Sequence, residues 1–374
     1  MSDSQSKEES EEKSKSFANQ AHGTDNDLSN KEIMYEIIVA GGEFRKSVEH
    51  ILLPATLQIP KEKNVLKRLR SAILPRKWSN SVQKWTYLQS MRTRREGFMT
   101  GIYKDQMFAF GGMGSGLSFE SLDLNDPLAQ WQYQDRVFQQ DLWHSAAVVY
   151  GESAYIFGGN FNGPSSNIYR LSLVPPYTVE LIGQMPEPRS YHNAEIFDDK
   201  VIILCGSSRG CGRDVEWLDS VLQYDITTNS FKTLPPLPAE IIFSATAMWK
   251  DNVVIVGGVS KGFDIIDPVW LYNISSGESQ RLPPMIQERR ECAAVVAGDI
   301  LVVLGGTSAG IGTHALAECY NFMTNKWTEL PPMKQERRFA SALVRCWDAE
   351  KALAYKAPEL DEKSCRRSNP ELVW

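Results

Sequence analysis

The sequence predicts an all-β fold, a closed ring of six blades with four antiparallel strands each. Three observations predict it. An apolar run closing on two glycines recurs along the chain, each recurrence is followed by further strand-length segments, and each end of the chain holds only part of one such unit. The runs are YEIIVAGG, MFAFGG, AYIFGG, VIILCG, VVIVGG and ILVVLGG. Their glycines are Gly41 and Gly42, Gly111 and Gly112, Gly158 and Gly159, Gly206 after Cys205, Gly257 and Gly258, and Gly305 and Gly306. Successive first positions are 70, 47, 47, 52 and 48 residues apart, so one unit is stretched and the rest share a period. Repetition at this period with four short strands per unit is the pattern of a β-propeller.

Within a unit, strand A is an apolar run such as ECAAVVA, and strand B ends in the glycines. Strand C ends near a tyrosine such as Tyr272 or Tyr320, and strand D carries an aromatic residue: Trp85, Trp131, Phe231 or Trp327. Leu-Pro-Pro then ends the sheet, because proline offers no N–H to a ladder. The glycine pairs are read as structural turns at the crowded inner end of each blade, where backbone approaches backbone. EIMYEIIVAGG is a strand B with no strand A before it, and RRFASALVRCWD is a strand A with no strand B after it. Left apart, they would expose two sheet edges. Joining them closes the ring, with strand A of blade 1 supplied by residues 339–345.

Gly-Gly, then Tyr, Trp, Leu-Pro-Pro-Met and Arg resembles the kelch repeat, over roughly residues 33–347. The chain looks most like the kelch domain of BTB–kelch proteins, which present substrates to a cullin ubiquitin ligase. It departs from them in having too few residues before the first blade for a BTB or BACK domain. The resemblance implies a protein-binding module, and the residues themselves suggest no cofactor or metal. It also implies recognition on the loop face, with substrate recognition for cullin ligase machinery as the finer reading. An actin-associated scaffold is the alternative, and a propeller enzyme a third.

The rest of the chain frames this domain. Residues 1–31 are acidic and polar, lack a signal-peptide core, and are expected to be disordered. Residues 348–374 form a polar tail. The stretched unit carries a basic insertion at about residues 50–80, including Lys61 to Lys77, where seven of seventeen residues are Lys or Arg. That segment reads as a short amphipathic helix, for docking or for lying on the rim. A net charge of −6 argues against general nucleic-acid binding, and no apolar run has membrane-spanning length. Six cysteines without paired spacing read as reduced thiols of an intracellular protein, cytoplasmic with the nucleus left open.

In a four-stranded meander the D–A turns and B–C loops share one face. The B–C loops are long, rich in Gly and Ser, and varied, as binding loops on a rigid frame are. Arg94, Arg95, Arg189, Arg289, Arg290, Arg337 and Arg338 fall in D–A turns, and Arg209 and Arg213 in one B–C loop. They are candidates for binding an acidic segment of a partner, since guanidinium forks match carboxylates. Alternatively they brace the turns, or pair with neighbours such as Glu288, Glu291 and Glu336. The five histidines show no metal-ligand spacing. No catalytic residue is assigned.

Overall fold

The computed structural model describes residues 33–43, 45–54, 84–115, 117–160, 162–209, 215–261, 265 and 269–348. The N-terminal arm, the segment 61–77, Cys211, Arg213 and nearly all of the tail lie outside this set. Six four-stranded antiparallel sheets follow one another around a central channel. Blade 1 is composite, in the order Ser341–Asp348, Ile33–Ala40, Val48–Pro54 and Thr86–Leu88. Blade 2 is Met99–Tyr103, Gln106–Phe110, Phe119–Asp123 and Gln132–Gln134. Blade 3 is Ala146–Tyr150, Ser153–Phe157, Ser165–Ser172 and Val179–Arg189. Blade 4 is Asn193–Phe197, Lys200–Leu204, Val221–Asp225 and Ser230–Leu234. Blade 5 is Ala245–Trp249, Asn252–Val256, Val269–Asn273 and Ser279–Leu282. Blade 6 is Ala293–Ala297, Ile300–Leu304, Ala317–Asn321 and Lys326–Leu330.

The ring closes where the two ends of the domain meet. Glu36 pairs with Arg345, Ile37 with Val344, Ile38 with Leu343 and Val39 with Ala342. The closing strand starts at Ser341, two residues later than the sequence suggests, because residues 337–339 are taken up by the turn that enters it. The stretched unit is also corrected. Val48–Pro54 is a regular strand C, with His50 paired to Thr86 of strand D. The extra residues therefore follow position 54 rather than position 50.

Strands B read as continuous apolar runs because both faces are buried between neighbouring blades. Six apolar clusters among the described residues each join two consecutive blades; the seam cluster packs Ile37, Ile51 and Trp85 of blade 1 on Val302 and Cys319 of blade 6. The strand-D tryptophans fill the widening outer wedge and cap the blade before them. Trp85, Trp131 and Trp327 donate their indole N–H to the carbonyls of Pro331, Gln89 and Pro283 at 2.9, 2.8 and 2.8 Å. Bulk and a directed hydrogen bond thus come from one side chain.

The glycine pairs are the joints between blades. The second member donates its N–H to the next blade in all six places: Gly42 to Arg95, Gly112 to Leu142, Gly159 to Arg189, Gly206 to Ile241, Gly258 to Arg289 and Gly306 to Arg337. The approach is close enough that a Cβ on Gly111, at φ +59°, would stand 2.3 Å from the Leu142 carbonyl oxygen. Cys205 fills the first position of its pair with φ 63°, so a side chain is accommodated there in the left-handed region.

Candidate functional site at the channel mouth

Each D–A turn ends in three residues that do the same work in every blade. The first is Arg95, Leu142, Arg189, Ile241, Arg289 or Arg337, whose carbonyl receives the glycine N–H described above. The second is Glu96, Trp143, Ser190, Ile242, Arg290 or Arg338. It pairs with the residue after the blade's own glycines: Met113, Asn160, Ser207, Val259, Thr307 and Glu43 respectively. The third is Gly97, His144, Tyr191, Phe243, Glu291 or Phe339, and all six have positive φ between 51° and 60°. Their backbones link around the axis. His144 donates to Gly97, Tyr191 to His144, Glu291 to Phe243, Phe339 to Glu291, and Gly97 to Phe339.

This geometry corrects part of the arginine reading. Arg95, Arg189 and Arg289 are essentially unexposed and cannot touch a partner. Arg95 donates to the Gly111 and Ser118 carbonyls and to Glu120; Arg289 donates to the Gly305 carbonyl and to Glu318. Arg189 is held by Glu187, Ser220 and the Cys205 carbonyl. The fourth equivalent is Arg337 rather than Arg338; it donates to the Gly41 and Ser47 carbonyls and lies 2.8 Å from Glu49. Turn amides complete three of these nests: Arg92 and Thr93 donate to Glu120, Lys334 and Gln335 to Glu49, and Ile286 to Glu318. Such a buried guanidinium is tolerated because its carboxylate and carbonyl partners replace water. Burial lowers the pKa of Arg95, Arg189 and Arg337 from the usual arginine value, and their acidic neighbours oppose it.

The candidates that remain at the surface each face an acid. Arg209 lies 3.3 Å from Glu216, Arg290 3.5 Å from Glu291, and Arg338 2.9 Å from Glu43 and 3.7 Å from Glu291. Glu291 was legible as a neighbour of Arg290. Glu43 and Glu96 gave no signal, because they meet these arginines only through the ring. The partners of the buried arginines were equally hidden. Glu49, Glu120 and Glu318 lie 8, 9 and 13 residues after the first glycine of their pairs, so the varying B–C loop destroys any fixed spacing.

Four third-position side chains form a cycle of rings across the mouth. Ring centroids are 4.2 Å apart for His144 and Tyr191, 4.6 Å for Tyr191 and Phe243, 5.8 Å for Phe243 and Phe339, and 4.8 Å for Phe339 and His144. Gly97 makes the cycle possible, since a Cβ there would lie 2.6 Å from the His144 ring. Burial pushes His144 down to about 3, so its imidazole is neutral. Beneath lies a channel of about 550 Å³ walled by the six strands A. Its wall includes Glu195, which accepts a hydrogen bond from Thr246 at 2.6 Å and is pushed up to about 7 by burial.

The mouth therefore has two halves. Blades 6, 1 and 2 contribute Arg290, Glu291, Arg338, Glu43 and Glu96. Blades 4 and 5 contribute the partly buried rings of Tyr191 and Phe243, backed by a buried cluster of Trp217, Ile242 and Val259, and blade 3 adds Trp143 against His144. Burial raises the Cys205 and Cys292 thiols to about 11, away from the thiolate a nucleophile needs. Among the described residues, no group of three or more His, Cys, Asp or Glu could hold a metal ion. No helix among them is long and apolar enough to cross a membrane.

A six-bladed ring with glycine joints, tryptophan caps and arginine-braced loops is a kelch-type propeller, a typical protein-interaction module. The chain belongs to the kelch-repeat family: the KLHDC2/KLHL20/DRC7 Kelch-repeats domain matches residues 144–347, more than half of it. It is 26% identical to human Kelch domain-containing protein 1, over 45% of this chain and 49% of that one. It is 29% identical to the Leucine-zipper-like transcriptional regulator 1 homolog of Drosophila melanogaster, over 34% of this chain and 15% of that one. The chain thus spans about half or less of these curated relatives. Among solved structures, the one titled "Structure of YjhT" superposes with a TM-score of 0.59 at 13% identity, covering 67% of this chain and 88% of that one; this likeness concerns the fold alone.

Proposed function

We propose that this chain recognises a protein partner on the face that carries the channel mouth. The observation that carries the reading is the two-sided mouth itself. A partly buried aromatic cycle adjoins a charged sector, on turns tied by a backbone ring and, in four of the six, braced by a buried arginine. A surface preorganised in this way loses little entropy when a segment of another protein docks on it. An acidic segment would have to displace Glu43, Glu216 or Glu291 from the surface arginines, so the charge balance does not favour that form of the reading. Substrate recognition for a cullin ubiquitin ligase is the finer version, and attachment to actin filaments the alternative.

Affinity capture with the full chain tests it. Proteins retained by the native chain should be lost to a Trp143→Ala/Phe243→Ala variant. They should be kept by a Leu181→Ala/Met323→Ala control, whose side chains are exposed on an outer strand and a C–D hairpin. Equal capture by the mouth variant would overturn the reading. A cullin among the lost proteins would identify the adaptor role, and co-sedimenting filamentous actin the scaffold.

A further inference from the structure

The charged half of the mouth prefers the opposite sign from the one its arginines suggest. Three carboxylates, Glu43, Glu96 and Glu291, are faced by two guanidinium groups, Arg290 and Arg338. Arg338 reaches Glu43 and Glu291, and Arg290 reaches Glu291. Thr307 and Thr313 add hydroxyl donors to Glu291 and Glu43. Glu96 is left over. It is only 7% exposed, and its Oε2 accepts no hydrogen bond. Burial raises its pKa, Glu43 and Glu291 push the same way, and Arg338 opposes them. Burial likewise raises that of Glu291, against Arg290, Thr307 and Arg338. A desolvated carboxylate without a donor is costly until a donor or a cation meets it.

Immediately inward stands the aromatic cycle. Ring faces attract cations, most strongly when water is excluded. The neutral His144 within the cycle adds no repulsion. Arg338 already stands over the Phe339 ring, 5.9 Å from its centroid, so an arriving ammonium or guanidinium would meet Glu96 and the rings of His144, Tyr191 and Phe243.

We propose that the Glu43–Glu96–Glu291 sector is a subsite for an arginine or lysine side chain of the partner. The assignment rests on the loop-face reading above and specifies the chemistry of the segment bound there.

Panning the full chain against displayed random peptides tests it. Retained sequences should be enriched in Arg or Lys. A synthetic copy of one, with citrulline in place of its arginine, should bind about ten-fold more weakly. The Glu96→Gln/Glu291→Gln variant should bind both copies alike while melting no lower than the native chain, since it removes two destabilised charges. Enrichment in Asp and Glu would overturn the subsite and leave the loop-face reading standing. Undiminished preference for arginine over citrulline in the variant would do the same. Retention of no peptide would overturn both.

Discussion

At position 195 a carboxyl group faces the channel with a pKa of about 7, raised by burial and only partly countered by the Thr246 hydroxyl. In the unfolded chain the same group titrates near the ordinary glutamate value. Between the two, the native state holds a proton that the unfolded state has lost, so stability falls as pH rises through that window. The cost is complete above the folded pKa. It is on the order of 2 kcal/mol once discounted for water in the channel. Glu195→Gln removes it: urea midpoints of native and variant should diverge in the variant's favour between about pH 5 and pH 8. Parallel profiles would show that Glu195 is not desolvated. A glycine joint behaves differently. Gly111→Ala sets a methyl against the Leu142 carbonyl with φ in the left-handed region, and should cost about 3 kcal/mol in denaturant unfolding at any pH. These glycines stand out in the sequence because their constraint is met by one residue type. The left-handed third residue of each D–A turn does not, because Gly, His, Tyr, Phe and Glu all occupy it. The turn and the backbone ring impose that conformation, so composition carries no trace of it.

At the scale of the element, the recurring unit is the braced loop, in which an arginine on the D–A turn is buried in the B–C corner of the blade it enters. Arg337 and Glu49 form one such pair, both unexposed and 288 residues apart in the chain. Breaking a pair of this kind from one side leaves an uncompensated charge, so Arg337→Met should lower stability by about 3–5 kcal/mol. Adding Glu49→Leu should restore part of that loss, although the Lys334 and Gln335 amides then lose their acceptor. Chemical denaturation of the two single variants and the double measures the coupling; additive losses would mean that the pair does not act as a unit. The arginines are visible in the sequence, but their role is not. The same residue type serves as an inward brace at Arg337 and an outward surface group at Arg338. Only the left-handed turn decides which of the two points inward.

Across the whole molecule, six glycine-closed runs announced six blades, and the partial units at the two ends announced the seam. Both were legible because inter-blade packing demands the same residues six times over. Recognition on the mouth demands difference instead. Its two halves come from positions where the repeat varies, and their charge balance appears only once blades 6, 1 and 2 are adjacent. The mouth is rigid only if the ring is closed, so the seam must be as firm as any other blade. Native-state hydrogen exchange tests this most directly. Amides of Glu36 to Val39 and of Ala342 to Arg345 are predicted to exchange only with global unfolding, alongside Val302 and Val303 of blade 6. Exchange of the seam amides through a lower-energy local opening, while blade 6 stays protected, would contradict the account.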